Sequence, residues 1–303
     1  MTDSSPKAYV QQHSAWGRWG PDDAAAGVNL VTPERVVAAA RLVRTGVRLS
    51  LTRPVVPGAA HGPGTARMEP ARVDIGGGVV VQRDIWSLDY HGGQITHLDA
   101  LSHIEIDGRL WNDRETALNA ADPAGSWGDI TTWTSGIVTR GVLFDVPRYR
   151  GTPYVTQDAA VTGDELAAIA AAHRLDFQPG DAMVIFSGRQ AWDAANDEYG
   201  SVSADGSRVA PGLDGSCLSY LRTADPSVLV VDMMDRHDPA NTPPGLAVHL
   251  ALNAFGVALL DNARLEDLAA ECRQQQRTDF MLLVAPLSVQ GATGSPVNPI
   301  AVL

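Results

Sequence analysis

The chain has 303 residues, of which 45% are hydrophobic and 19% are charged, and its formal net charge at pH 7 is −12. This composition predicts a globular protein. The acidic balance argues against a nucleic-acid partner, because binding to phosphate normally needs a basic surface. No run approaches the roughly 18 apolar residues of a membrane span, and the N-terminal segment lacks the apolar core of a secretory signal. We therefore expect a cytoplasmic enzyme with no membrane partner, in which Cys217 and Cys272 are reduced.

The first predicted elements are one helix and several strands that are separated by glycine and proline. Thr32 is a suitable N-cap and is followed by proline at the first helical position, which predicts a helix over residues 33–45. Gly76–Gly78 interrupt a run of apolar and polar residues and separate two predicted strands. The dipeptide Asp107–Gly108 is typical of a tight turn and predicts a short hairpin.

The rest of the chain alternates irregularly between strands and helices. Thr162 and Glu165 have capping-box spacing at the start of a second helix, and Gly256 ends the helical run GLAVHLALNAF. Strands are predicted in the segments GIVTRGVLFDVPRY, PGDAMVIFSGRQAW, SVLVVDMMD, VALLDN and DFMLLV. Because these elements do not follow a regular βαβ order, they predict a single α/β domain of α+β character around a mixed sheet, over residues 1–303.

Residues 91–103, HGGQITHLDALSH, hold three of the chain's eight histidines. Imidazole and carboxylate groups are the usual protein ligands of Zn²⁺ and Mn²⁺ in hydrolytic sites. If the HLD segment is extended, His97 and Asp99 leave the same face and can bind one ion. If a turn follows, His103 lies near Asp99 and can act as a general base or acid. Alternatively, Thr96 and Asp99 cap the next turn, and the spacing alone leaves both interpretations open.

The second half of this stretch resembles the signature H-x-G-T-H-x-D-x-P-x-H of the cyclase family of metal-dependent hydrolases, which includes bacterial kynurenine formamidase and isatin hydrolase. The matching residues are THLDALSH, from Thr96 to His103. The segments WGRWGPDD, RGVLFDV, PGD and GATGSPVNPIAVL are also similar to longer members of that family, so the resemblance covers nearly the whole chain. It implies a barrel-like sheet flanked by helices, of the swivelling β/β/α type, on which an N-terminal extension and helix (residues 1–45) pack.

The resemblance also implies roles for individual residues. His97 and Asp99 fall on two metal ligands of the signature, and His103 falls on its acid/base histidine. Members of the family with two metals add a histidine and a glutamate that are twelve residues apart. His249 and Asp261 have this spacing here, with aspartate as the shorter carboxylate.

Two positions depart from the signature. Gly93 stands where its first histidine is expected, and Leu101 replaces its proline. Either His91 reaches the site from a differently shaped loop, or the ion relies on the four ligands just named. We expect the second arrangement, with one divalent metal ion that is zinc in preference to manganese.

Further side chains are candidates for contacts to the ligands or to the substrate, because they lie in the histidine loop, near strand ends or in the C-terminal glycine-rich loop. These candidates are His91, Gln94, Asp232, Trp86, Thr293, Ser295 and Asn298. His237 is more typical of a solvated loop, and Arg189 is more typical of a plain salt bridge.

The sequence therefore predicts a hydrolase that cleaves an amide, lactone or other acyl bond in a small cyclic or aromatic molecule, with metal-activated water and His103 as acid/base. One alternative is a cyclase, dehydratase or isomerase that uses the same site. Another, motivated by Gly93, is a non-catalytic binding protein on this scaffold. The expected partners are the small-molecule substrate and, from the resemblance, further copies of the chain in a homodimer or higher homo-oligomer.

Overall fold

The structure is a computed structural model that describes residues 5–58, 65–117, 127–196, 199–200, 209–236 and 247–303, so His237 lies outside the described residues. Nine described strands form one mixed sheet: β1 (Arg48–Ser50), β4 (His97–Asp99), β5 (Ile137–Asp145), β6 (Ala182–Phe186), β7 (Val228–Val231), β8 (Ala258–Asp261), β9 (Asp279–Val284), β10 (Gly294–Pro296) and β11 (Ile300–Val302). Their spatial order is β1-β11-β9-β5-β6-β7-β8-β4-β10, and the sheet curls into a half-barrel. Strands β2 (Ala66–Gly76) and β3 (Val79–Leu88) form a separate antiparallel ribbon. The predicted α/β fold with a mixed, barrel-like sheet is confirmed.

The centre of the sheet is parallel and its two margins are antiparallel. Strands β5 to β8 pair in parallel, whereas β4, β9, β10, β11 and β1 join through antiparallel pairs. In β6, Met183 and Ile185 belong to the hydrophobic core on one face, and Val184 belongs to the core on the other face. Because both faces are covered, the central strands are continuous apolar runs rather than alternating ones.

Eight α-helices are described, and they flank the sheet. They are α1 (Pro6–His13), α2 (Pro33–Ala40), α3 (Val146–Arg150), α4 (Gly163–His173), α5 (Arg189–Ala195), α6 (Cys217–Ala224), α7 (Ala247–Phe255) and α8 (Glu266–Gln274). Val10 of α1 and Ala39 of α2 are buried, so the N-terminal helices pack on the domain. None of the described helices has the length and apolar character needed to cross a bilayer.

Local signals in the sequence account for several boundaries. The Thr32 hydroxyl accepts a hydrogen bond from the Arg35 N–H at the start of α2, as predicted, but α2 ends at Ala40 instead of continuing to residue 45. The prediction was too long because the N–H groups of Thr45 and Gly46 bond to the carbonyl of Leu303, which diverts the chain towards the C-terminal strand.

Two turns and a helix cap were predicted correctly. The Thr162 hydroxyl accepts a hydrogen bond from the Glu165 N–H. Asp107 and Gly108 have φ angles of 52° and 75° and form the tight turn of a one-bridge hairpin. Gly256, with φ 69°, separates α7 from β8. An added Cβ there would lie 2.6 Å from the Ala26 Cβ, so this sharp return requires glycine.

Candidate metal centre

Strand β4 places two predicted ligands on one face of the sheet. It pairs with β8 so that His97 is opposite Asp261, and Asp99 follows two residues later on the same face. The intervening Leu98 points into the hydrophobic core on the other face. His97, Asp99 and Asp261 are all buried, with at most 2% of their surface exposed. The register of β4 against β8 therefore brings together residues that are more than 160 positions apart in the chain.

Helix α7 adds His249 to this group. The sharp return at Gly256 places α7 beside the strand that carries Asp261, and His249 Nε2 lies 3.4 Å from Asp261 Oδ2 and 4.0 Å from Asp99 Oδ2. Both members of the pair that the family resemblance implied thus lie beside Asp99.

Two further histidines approach Asp99 from the chain on either side of β4. His91 Nδ1 lies 3.0 Å from Asp99 Oδ1, and His103 Nε2 lies 3.8 Å from Asp99 Oδ2. Their rings stack, with centroids 3.9 Å apart and planes 4° from parallel. Asp99 is therefore faced by four imidazoles, those of His91, His97, His103 and His249. Within the described residues, the sets His91–His97–Asp99 and Asp99–His103–His249 each have the spacing needed to hold a metal ion.

Hydrogen bonds fix one nitrogen on three of these rings. His97 Nδ1 donates to the carbonyl of Ile95 at 2.8 Å, and His249 Nδ1 donates to the carboxylate of Asp235. His91 Nε2 lies 2.9 Å from the hydroxyl oxygen of Thr293. Each ring then has its other nitrogen directed towards the carboxylates. Such partners orient histidine ligands in metal sites and select the tautomer that can bind the ion.

The oxygen atoms at the centre fit a cation. Both carboxylate oxygens of Asp99 and both of Asp261 are buried and have no hydrogen-bond partner among the described residues. Leaving ionised carboxylates in this state is costly unless a positive charge compensates them. Two ligand atoms at 2.0–2.2 Å from one ion, with an angle of about 90–110° between the two bonds, are about 2.8–3.6 Å apart. The closest His91–Asp99, His97–Asp99 and His249–Asp261 atom pairs are 3.0, 3.4 and 3.4 Å apart. The residues present therefore fit a divalent metal ion.

The electrostatics of the two most buried imidazoles agree with this fit. Burial lowers the pKa of His97, but Asp99 and Asp261 outweigh burial and raise this pKa to about 9. Burial also lowers the pKa of His249, but Asp235, Asp261 and Asp99 together raise it to about 10. The surrounding carboxylates thus favour positive charge, which a divalent cation could supply in place of the two protons.

The pKa values of the two carboxylates and of His103 are shifted in different directions. Burial raises the pKa of Asp99, but the imidazoles of His97 and His91 outweigh it and hold this pKa well below its usual range. Burial and the nearby charge of Asp99 raise the pKa of Asp261 to about 7. Burial lowers the pKa of His103 to about 4, against the opposing effect of Asp99.

The other candidates from the sequence are placed differently. Thr293 contacts His91, and Gln94 is half-buried in the same loop. The Asp232 carboxylate accepts the N–H groups of residues 187–189 at the start of α5, so it anchors backbone rather than joining the cluster. Its position at the end of a strand did not distinguish this structural use from a role in the site.

Three candidates are not brought to the cluster. Ser295 is opposite Leu98 in the pairing of β10 with β4, so its side chain leaves the face opposite to Asp99. The amide oxygen of Asn298 accepts the Ser50 hydroxyl. Trp86 lies on the ribbon and is 62% exposed.

Asp235 is a residue of the site that the sequence did not single out. One of its oxygens accepts the Val248 N–H at the start of α7, and the other accepts His249 Nδ1–H. The available signal was its place in SVLVVDMMD, at the end of a predicted strand, but Asp232 in the same segment has the same signal.

The structure thus combines a half-barrel mixed sheet with a histidine–aspartate cluster on β4, β8 and α7 that fits a divalent metal ion. The chain belongs to the cyclase family: the family model described as "Putative cyclase" matches residues 49–236. This confirms the resemblance found in the signature. The match includes His91, His97, Asp99 and His103, whereas His249 and Asp261 lie beyond its end.

Solved structures with the same fold support this assignment. A protein whose crystal structure is described as that of a novel cyclase is 27% identical in sequence to this chain, with a TM-score of 0.81. The alignment covers 96% of this chain and 100% of that one. Isatin hydrolase A from Labrenzia aggregata, bound to benzyl benzoate, is 19% identical (TM-score 0.60, 88% and 97% covered). A predicted metal-dependent hydrolase from Bacillus stearothermophilus is 17% identical (TM-score 0.51, 85% and 98% covered). At these low identities, the similarity to isatin hydrolase A and to the Bacillus stearothermophilus protein shows only that the fold is shared. The comparison with curated proteins gave no match.

Proposed function

We propose that this protein is a metal-dependent hydrolase that cleaves an amide, lactone or other acyl bond in a small cyclic or aromatic molecule. The observation that carries the proposal is that the buried carboxylates of Asp99 and Asp261 have no hydrogen-bond partner among the described residues and face imidazoles whose other nitrogens are already held. The names of two structural neighbours, isatin hydrolase and metal-dependent hydrolase, support the reaction class and a cyclic substrate.

The proposed cofactor is one divalent metal ion held by His97, Asp99, His249 and Asp261. Zinc is preferred to manganese, because nitrogen-containing ligand sets suit zinc and manganese favours oxygen. When bound in such a site, the ion lowers the pKa of a water molecule and polarises the carbonyl under attack. The chain's own contribution is to fix the ligand tautomers through Ile95 and through the Asp235 carboxylate.

His103 is the proposed acid/base. It differs from the other three histidines of the cluster because the described residues make no hydrogen bond that holds its ring nitrogens, whereas His91, His97 and His249 are each held by one. Its side chain is 20% exposed and its Nε2 lies 3.8 Å from Asp99 Oδ2. An imidazole that borders the cluster and is free to exchange a proton can take one from water and return it to the leaving nitrogen or oxygen.

A self-association of this chain is part of the proposal. In the β2–β3 ribbon, Ile75, Val79, Ile85 and Trp86 are each more than half exposed. A two-stranded ribbon is marginally stable in water on its own and gains stability when its apolar side chains are covered. We expect a homodimer or higher homo-oligomer that sedimentation analysis resolves at micromolar concentration, and a monomer would contradict this part. The cytoplasmic location stays a prediction from sequence.

The experiment that tests the function combines metal analysis with product mass. Purified protein should contain about one equivalent of divalent metal and should turn over members of a panel of lactones, formamides and cyclic imides, with products heavier by one water. Products of unchanged or lower mass would indicate isomerisation or dehydration instead. A protein that takes up no divalent metal and is indifferent to chelators would instead support the binding-protein alternative.

A further inference from the structure

The loop before β4 departs from the family signature, because Gly93 stands where the first histidine is expected. We infer that His91 supplies the missing imidazole ligand from two positions earlier, and that Arg189 and Tyr199 are positioning residues that hold the loop in the shape this requires. The inference rests on the proposed metal centre and deepens it, since it assigns a ligand that the four-residue set does not include.

A side chain at position 93 would be directed at Tyr199. A Cβ built on Gly93 would lie 3.3 Å from Tyr199 Cδ1 and 3.4 Å from the main-chain oxygen of the same residue. The Tyr199 ring has little freedom to move, because its hydroxyl donates to the carbonyl of Pro211 and accepts the N–H of Met234, both at 2.9 Å. A Cβ at position 93 is therefore tightly packed against Tyr199, and an imidazole there would be directed at a ring that is held in place.

Interactions on the same side hold the loop backbone. Arg189 is 1% exposed, and its Nη2 donates to the Gly93 carbonyl at 3.0 Å. Its guanidinium lies over the Tyr199 ring, 3.8 Å from the centroid, and its Nε donates to Asp193 at 2.7 Å. The amide of Asn262 donates to the neighbouring Gly92 carbonyl. Consecutive loop carbonyls are thus bound by buried donors, which fixes the direction in which the preceding side chain leaves.

That side chain is His91, and it meets Asp99. Its Nδ1 is 3.0 Å from Asp99 Oδ1, and neither atom has a hydrogen-bond partner among the described residues. Thr293 occupies Nε2, and stacking on His103 restrains the plane of the ring. A ring nitrogen and a carboxylate oxygen that converge without bonding each other have the arrangement of two ligands of one ion.

The test measures metal binding rather than turnover. The full chain is freed of metal with a chelator, and its affinities for Zn²⁺ and Co²⁺ are measured by competition with a chromophoric chelator, together with the Co²⁺ absorption spectrum. His91→Ala should weaken binding of both ions at least tenfold and change the spectrum. His91→Asn should do the same and serves as the second variant if the alanine variant fails to fold. His13→Ala, at an exposed position of α1, is the matched control and should bind as wild type does.

Two further variants test whether His91 replaces a ligand at position 93 and whether Arg189 positions the loop. Adding Gly93→His to His91→Ala should restore no affinity, because Tyr199 occupies the required space. Arg189→Lys should weaken metal binding in the wild-type background and have no further effect in the His91→Ala background, since it acts through His91.

The outcomes separate this inference from the proposed function. Wild-type affinity and spectrum in His91→Ala, recovery on adding Gly93→His, or additive effects of Arg189→Lys and His91→Ala would each overturn the inference while leaving a metal enzyme in place. A wild-type chain that binds neither ion would refute the proposed function and the inference together.

Discussion

Asp235 offers the sharpest test of how the chain prepares its ligands. Its two oxygens accept two different donors, the Val248 N–H at the start of α7 and His249 Nδ1–H. Asparagine has the same shape but only one acceptor oxygen. In Asp235→Asn, one of the two donors must therefore lose its partner.

The expected magnitude follows from the two ways of placing the amide. If its oxygen stays on Val248, its NH₂ faces His249 Nδ1, and the imidazole proton must move to Nε2, the nitrogen that faces Asp261. Loss of an outer partner of this kind typically weakens metal affinity 10- to 100-fold, or by about 1.4–2.7 kcal/mol. If the amide turns, the helix N–H is left unpaired at a cost to folding of about 1–3 kcal/mol.

The assay is a competition titration with Zn²⁺ and a chemical unfolding curve with and without the metal. We expect weaker binding and a smaller metal-induced stabilisation, since that stabilisation follows the ratio of free metal to its dissociation constant. Thr162→Ala is the matched control: it removes a helix cap on α4 and should cost about 0.5–2 kcal/mol of stability without changing metal affinity. If Asp235→Asn binds zinc as tightly as wild type, the proposed control of the His249 tautomer is wrong.

Three other predictions follow from separate parts of the structure. His103→Ala should lower turnover about 100- to 10,000-fold while metal content stays at the wild-type level; an active variant would remove His103 from the mechanism. Burial raises the pKa of Cys272 to about 12 and that of Cys217 well above its usual value. Both thiols therefore stay protonated at pH 8, and a thiol reagent should label them only after unfolding; stoichiometric labelling of the native chain would contradict this. Gly256→Ala would place a Cβ 2.6 Å from that of Ala26, at a position with a positive φ. We expect it to lower the free energy of unfolding by about 1–3 kcal/mol, measured by urea unfolding. An unchanged unfolding midpoint would refute the packing argument.

The features that the sequence predicts well are those that depend on local geometry. An extended HLD segment must place His97 and Asp99 on one face, and the structure has this strand. The pair of His249 and Asp261 was implied by the family resemblance, and the return of the chain from helix through glycine to strand accounts for their meeting. These arrangements need no knowledge of distant residues beyond the pairing of β4 with β8.

The features that the sequence did not predict depend on distant partners. The loop at Gly93 is held by Arg189, 96 positions later in the chain, and no spacing within residues 91–103 contains that information. Asp232 and Asp235 lie three residues apart with the same local signal, yet one anchors backbone amides and the other holds an imidazole. The choice between them depends on whether α5 or α7 packs against each carboxylate.

The contrast between strand and loop also bears on the meaning of Gly93. A ligand on β4 cannot move by one residue, because that would turn its side chain to the opposite face of the sheet. A ligand on the preceding loop has no such constraint, and its position can shift as long as other residues hold the backbone. A missing histidine at the loop position of the signature is therefore weak evidence for a non-catalytic protein, whereas a substitution at His97 or Asp99 would be strong evidence. His91 lies 3.0 Å from Asp99 in this chain, so an imidazole stands beside the carboxylate although the signature position is glycine.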